Sequence, residues 1–345
     1  MKEKKNIIML CVTAAALVVS ICVGAAMLTG ANKNKSESDP QKSEASHTSA
    51  ATESDHYRIL VAGKDRASGL YDVMMLVSLD RVNGSACVLQ IPRDTYFEYT
   101  DRDYKKINGA PSALGGMRAF CDSLGEALGV KIDSYISFGL DAFADAVDAV
   151  GGVEVELDEA LEYKDPAQEL TISLPKGKQT LDGKTAEHFV RYRSGYLRGD
   201  LGRLDAQKIF MAAFFGKVSE LGTGEAIKLA TVLLPSINTD LGAFEMVGLI
   251  RDASSIDGND LSFVTAPGED IVSAKSGAWY YVLSSKAMSE ILELHFAPAG
   301  EFDRERLFLN ERNKNALPIY EGYSKYKISS AEDIDKNGIY IQQIN

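Results

Sequence analysis

Cysteine is scarce and badly spaced for chemistry: Cys11, Cys22, Cys87 and Cys121 form no C-x-x-C pair. That excludes a cysteine zinc cluster and leaves buried thiols as the reading for the two in the ordered body, Cys87 on an expected strand and Cys121 on an expected helix. His56, His188 and His295 fall at no ligand spacing either, and are read as solvated or packed. Positive charge is also short: 37 Lys and Arg stand against 49 Asp and Glu, a net charge of −12. An acidic body without a basic helix excludes a general nucleic-acid binder. No internal repeat is present. Any basic site here is a local device for one anionic group.

The 345 residues suffice for one large or two modest domains, and 45% hydrophobic with 25% charged residues is ordinary for a globular chain. Ile7 to Leu28 is an uncharged run preceded by Lys2, Lys4 and Lys5. As a helix it spans about 33 Å, enough for a bilayer core. A cleaved signal peptide competes, since Ala25, Ala26 and Gly30 are small, but the length favours a retained transmembrane helix. Ile21 before Cys22 speaks against lipidation. Residues 1–6 are then cytoplasmic, 29–55 a polar disordered linker, 56–298 the folded domain and 299–345 a C-terminal extension.

Short apolar runs, nearly continuous at 72–79, predict strands at 57–62, 72–79 and 86–91, the last two joined by an Asn83-Gly84 turn. Helical spacing covers 113–128, then a strand at 134–138 and a helix capped by Asp141 and ended at Gly151-Gly152. Strands follow at 153–157 and 170–174, a short helix at 181–189, and a strongly apolar helix at 203–221. Further helices are expected at 224–234, 242–252 and 285–295, and strands at 261–265, 279–283 and 339–344. The order implies an α/β (α+β) domain whose mixed central sheet is sandwiched by helices.

The chemistry concentrates where Val190-Arg191-Tyr192-Arg193 leads through Gly195, Gly199 and Gly202 to Arg203 and Gln207. In an extended segment Arg191 and Arg193 point the same way; on a helix Arg203 and Gln207 share a face. A glycine turn folding the pairs together focuses guanidinium forks, which match phosphate oxygens two bonds at a time. The plainer reading is a set of solvated arginines beside neighbouring acids. Arg93 stands at another strand end, with Asp94 beside it to orient it. Asp65 after the first strand and Asp72 at the start of the second are carboxylates able to converge on Mg²⁺, although the plainer reading of Asp65 alone is a solvated pair with Lys64 or Arg66.

Six stretches, in order, resemble the LytR-CpsA-Psr family of envelope phosphotransferases: Ala62-Gly63-Lys64-Asp65-Arg66, Asp72 to Ser78, Ile91-Pro92-Arg93-Asp94-Thr95, Lys106-Ile107-Asn108, Val190 to Arg193, and Gly199 to Arg203 with Gln207. The resemblance covers residues 57–221 well and is looser to 298. It implies a glycopolymer carried on polyprenyl pyrophosphate, whose phosphoglycosyl group passes to a peptidoglycan hydroxyl. Arg93, Arg191, Arg193, Arg203 and Gln207 match the pyrophosphate-binding positions, and Asp65 and Asp72 the Mg²⁺ positions, with Mn²⁺ the alternative ion. Asp72, Arg93, Arg191 and Arg193 are then the catalytic set. The acceptor proton goes to Asp72 or Asp65. Lys106 is either a rim cation or a solvated turn lysine, and Asp200 is expected to orient Arg193 or Arg203. Leu70 stands where many members carry arginine, so Lys64 or Arg66 supplies that charge or the acceptor differs. The partners implied are the lipid-linked polymer (teichoic acid, capsule or another glycan), peptidoglycan and the membrane, with the domain outside a Gram-positive-type cell. The apolar helices 113–128 and 204–221 suit a tunnel for the prenyl chain, with ordinary core packing the plainer account of their residues. Two other functions share these residues: a non-catalytic binder or sensor of phosphorylated wall polymer, and a polyprenyl-pyrophosphate hydrolase.

Overall fold

The computed structural model describes residues 55–64, 69–99, 105–165, 170–192, 195–196, 199–219, 233–242, 256–273, 277–300 and 327–330, with single positions at 245, 249, 252, 307 and 334. The expected membrane span and linker, Asp65, Arg66, Arg193, the Asp200 side chain, most of the 224–234 helix and the 339–344 strand lie outside the described residues. Among the described residues no helix is long and apolar enough to cross a membrane, so the transmembrane expectation rests on the sequence alone.

Three strands form the centre: β1 (His56–Lys64), β2 (Tyr71–Asp80) and β3 (Ser85–Ile91). Their near-continuous apolar sequences fit burial on both faces. Helix α1 (Met117–Leu128) leads to β4 (Ser134–Phe138) and α2 (Leu140–Ala149). Two small hairpin-like sheets follow, β5 (Val153–Leu157) with β8 (Gly177–Leu181) and β6 (Leu161–Asp165) with β7 (Leu170–Leu174). Next come α3 (Gly183–Arg191), α4 (Asp200–Ser219), β9 (Ile237–Thr239), β10 (Leu261–Thr265), β11 (Gly268–Val272), β12 (Trp279–Leu283), α5 (Ser285–His295) and β13 (Ser329–Ser330). The main sheet has the order β13-β10-β3-β2-β1-β4-β9. β1 runs antiparallel to β2 and parallel to β4, and β3 runs antiparallel to β2 and parallel to β10. The carboxyl ends of β1, β3, β4 and β10 therefore share one edge with the start of β2.

Strand alternation divides the apolar residues into two cores. Ile59, Val61, Met75, Val77 and Val88 meet α2, α3 and α4, where Phe143, Phe189, Phe210 and Phe214 stack. Leu60, Ala62, Met74, Leu76 and Leu89 meet α1, β12 and α5 on the other face. Helices α1 and α4 thus lie on opposite faces, so among the described residues they do not wall one prenyl tunnel between them. Three other expectations are corrected. The 113–128 helix begins only at Met117, because Gly115 and Gly116 take φ of 91° and 131°, outside helical space. Gly139, not Asp141, is the N-cap of α2; Asp141 sits in the first turn, where a carboxylate still favours the helix dipole. Finally, α3 continues through Arg191, so Arg191 is helical rather than extended. Burial pushes the thiols of Cys87 and Cys121 up, the latter to about 12, as expected of packed, inert cysteines.

At the opposite sheet edge Arg58 is fully buried and caps the end of α5, its Nε donating to Phe296 O at 2.6 Å and its Nη2 to Ala297 O at 2.9 Å. His56 bonds Ser78 Oγ at 3.0 Å and lies 3.7 Å from Asp80. Burial lowers the pKa of His56, His188 and His295 below the ordinary 6.5. A lowered histidine pKa means the unfolded chain binds more protons, so this stability is full above about pH 6.5 and is lost as pH falls toward the folded values. Thermal unfolding followed by circular dichroism is expected to show a lower midpoint at pH 5.5 than at pH 7.5, with a shallower fall in His56→Gln. A cleft of about 750 Å³ opens nearby, lined by Arg118, Asp122, Glu126, Lys131, Asp133 and Gly300 among others.

Candidate functional site

Asp72 owes its position to a break in the β1–β2 ladder. Val73 pairs with Gly63 and Tyr71 with Lys64, so Asp72 is the extra residue of a bulge in the ladder. Tyr71 and Val73, two apart, accordingly lie in different cores. The Asp72 side chain is 1% exposed and accepts from Arg93 Nη1 at 3.1 Å. Arg93 comes from the turn that Pro92 forces at the end of β3, where Thr95 N and Oγ1 both bond Pro92 O. Asp94 completes a chain of charges: its Oδ2 lies 3.9 Å from Arg93 Nε and its Oδ1 accepts from Lys106 Nζ at 2.7 Å. Asn108 N donates to Arg93 O at 3.3 Å, tying the Lys106 segment to the same turn. Asp94 thus lies within ion-pair reach of Arg93, and Lys106 is a partly buried, paired cation rather than a solvated one.

Gln90, which the sequence did not single out, docks α4 on this edge. It is 1% exposed; its Nε2 donates to Leu204 O at 3.4 Å and its Oε1 accepts from Thr265 Oγ1 at 3.2 Å. One polar residue thus joins β3, β10 and the first turn of α4, three residues before Arg93. Its signal in the sequence is an amide inside the apolar Cys87–Ile91 run. Arg203 and Gln207, one turn apart on α4, are 1% and 0% exposed. Gln207 Nε2 donates to Val190 O at 3.3 Å, holding the end of α3 against α4. Between these helices Tyr192 and Tyr196 pack edge to face with centroids 5.2 Å apart. A side chain at Gly195 would strike the Tyr192 hydroxyl, and one at Gly202 would strike Tyr196. Glycine is needed there for closeness.

Asp72 Oδ2, Arg93 Nε, Arg203 Nε and Nη1 and Gln207 Oε1 are buried atoms that make no hydrogen bond, although Asp72, Arg93 and Arg203 have further contacts of their own. Buried polar atoms of this kind cluster where a ligand completes the bonding. Arg191 differs. Its Nη1 donates to Glu187 at 2.8 Å one helical turn back, so part of its charge is already spent on α3. Near Leu70, the described cation is Lys64, whose Nζ lies 5.9 Å from the Tyr71 ring centroid. Among the described residues no three His, Cys, Asp or Glu side chains stand together as a metal cage. Mg²⁺ asks for less, one or two carboxylates with water and phosphate oxygens, and Asp72 Oδ2 fits one such ligand.

A mixed sheet covered by helices on both faces, with guanidinium and carboxylate groups gathered at the carboxyl ends of its strands, defines an α/β protein with a charged edge site. The chain belongs to the LytR_cpsA_psr family, whose model matches residues 21–296. It is 29% identical over 279 residues to polyisoprenyl-teichoic acid–peptidoglycan teichoic acid transferase TagU of Oceanobacillus iheyensis, covering 78% of this chain and 84% of that one. It is 31% identical over 245 residues to TagU of Bacillus cereus, covering 70% and 78%. The fold is similar to the crystal structure of TagV from Bacillus subtilis, with a TM-score of 0.59, 24% identity, and coverage of 70% of this chain and 95% of that one.

Proposed function

We propose that this protein is a membrane-anchored phosphotransferase that moves a phosphoglycosyl polymer from polyprenyl pyrophosphate to a peptidoglycan hydroxyl. The observation that supports it most is the buried arginine Arg203 docked through Leu204 and Gln90 at the sheet edge that also carries the Asp72–Arg93 pair, in a chain whose relatives are named as teichoic acid transferases. The anchor is the 7–28 run, which places the domain outside the cell beside its lipid carrier.

Pyrophosphate carries several negative charges, and the arginine forks of Arg93 and Arg203 bind its oxygens in pairs. Removal from water makes these bonds stronger, most of all at the buried Arg203, and before substrate arrives Arg93 is held by Asp72 and Arg203 by the docking of α4. Arg191 joins them from the end of α3 by exchanging Glu187 for phosphate, and Arg193, two residues on in the sequence, is expected to join them as well. Gln207 serves chiefly by holding Val190, because its amide nitrogen must leave that carbonyl before it donates to a phosphate. Asp72 would hold Mg²⁺ with Asp65, and the ion, when bound, supplies further positive charge to the diphosphate. The acceptor hydroxyl attacks the sugar-linked phosphorus in line, polyprenyl phosphate departs with the bridging oxygen, and the hydroxyl proton passes to Asp72 or Asp65. The prenyl chain lies on the α4 face, which carries Arg203.

The test mixes the full chain with Mg²⁺, a polyprenyl-pyrophosphate oligosaccharide and peptidoglycan oligomers, and looks for a phosphodiester-linked product by mass spectrometry. Linked product, lost on chelation of the metal, is expected. Free glycan phosphate without linkage indicates hydrolysis, and donor bound but never consumed indicates a binder; either outcome sinks the transferase reading.

A further inference from the structure

Among the described residues the hairpin β11–β12 carries an exposed apolar pair. Trp279 is 61% and Val272 44% exposed, and the two are cross-strand partners. Packing of this hairpin is carried instead by Tyr280 and Tyr281, both buried, Tyr280 edge to face with Tyr96 at 5.5 Å. The hairpin is tied to the charged edge itself. Tyr281 N donates to Asp94 O at 2.9 Å, Tyr96 N donates to Tyr281 O at 2.8 Å, and Tyr281 Oη bonds Ala266 O at 2.9 Å just past β10. Trp279 lies two residues from Tyr281 on the same face of β12, about 7 Å along the strand. It therefore stands at the rim next to the Arg93-Asp94 turn.

We propose that Trp279 is a stacking platform for a pyranose ring of the acceptor glycan, placed to bring its hydroxyl to the phosphate held at Arg93. The proposal rests on the transferase reading. An indole offers a flat apolar face to the C–H face of a sugar and an N–H to its oxygens, and exposed aromatic rings at a site's rim are characteristic contact residues. The neighbours select among occupants. Glu269 and Asp270 on β11 are exposed, and Asp270 is paired with Tyr281 on the face that carries Trp279. Carboxylates accept from sugar hydroxyls, whereas they repel both an anionic lipid surface and a phosphate-rich donor polymer. An open hairpin also suits a long wall strand passing across the surface, which need not thread into the buried phosphate site.

Trp279 is the only tryptophan of the chain, so intrinsic emission reads this position alone. The full chain in detergent is titrated with soluble peptidoglycan glycan oligomers, with inorganic pyrophosphate, with a prenyl-pyrophosphate oligosaccharide and with anionic phospholipid vesicles. A saturable shift with the glycan oligomers and none with the other three is expected. In transfer assays Trp279→Ala raises the acceptor KM about tenfold, the scale of one aromatic contact residue, with donor KM unchanged, and Trp279→Phe restores most of it. Emission unmoved by glycan, or moved by vesicles or by the donor, overturns the platform. Failure of pyrophosphate binding, read separately by calorimetry, counts against the transferase reading, and the emission titration still decides the sugar contact.

Discussion

Arg203→Lys is expected to lower the rate of transfer by roughly 10²–10³, the scale for removing one preorganised donor from a reacting oxyanion. The substitution keeps the positive charge and much of the stem, so a loss of that size isolates the planar fork. Arg203 is 1% exposed on the first turns of α4, and Gln90 fixes the neighbouring Leu204 carbonyl. A lysine ammonium placed there is a compact point charge and cannot bond two phosphate oxygens side by side. Single-turnover transfer, read beside the thermal unfolding midpoint, checks this. A folded variant with nearly full activity would remove Arg203 from the site.

The second large effect belongs to Asp72→Asn, for which transfer falls by about 10²–10⁴, the range for losing a positioned acid or base. Asparagine matches the shape and still accepts from Arg93, but it loses the charge that pairs with the guanidinium and the anionic ligand for Mg²⁺. Removing one charge of a buried pair also destabilises the fold, by about 3–5 kcal/mol when no substitute bond forms; the amide reduces that cost. The expected signature is a Mg²⁺ requirement shifted to much higher concentration together with a modestly lowered midpoint. Unchanged metal dependence would leave Asp72 as a structural partner of Arg93 alone.

The strands around this site were legible because their residues are apolar on both faces, as in Ile59 to Ala62 and Val73 to Leu79. Short polar strands such as β8, Gly-Lys-Gln-Thr-Leu, and β11, Gly-Glu-Asp-Ile-Val, carry no such signal and are set by their pairing partners. Arg203 and Gln207 were legible through spacing, since four residues on a helix fix a common face. The shared parity of Arg191 and Arg193 fits an extended segment, but the local sequence permits either state, and the helix runs on because Tyr192 N still reaches the His188 and Phe189 carbonyls. The bulge at Asp72 depends on register between strands, and the hub role of Gln90 on which helix lands beside it. Neither property is local, so neither is written in the residues alone.

The most direct test of the account is a crystal structure of the full chain with a non-transferable polyprenyl pyrophosphate analogue and Mg²⁺. The diphosphate is expected at the carboxyl ends of β1 and β3, its oxygens within hydrogen-bond distance of Arg93 and Arg203 and its metal ion on Asp72. A diphosphate bound elsewhere, such as in the Arg118 cleft at the opposite edge of the sheet, with Asp72 and Arg93 still closed on each other, would contradict it.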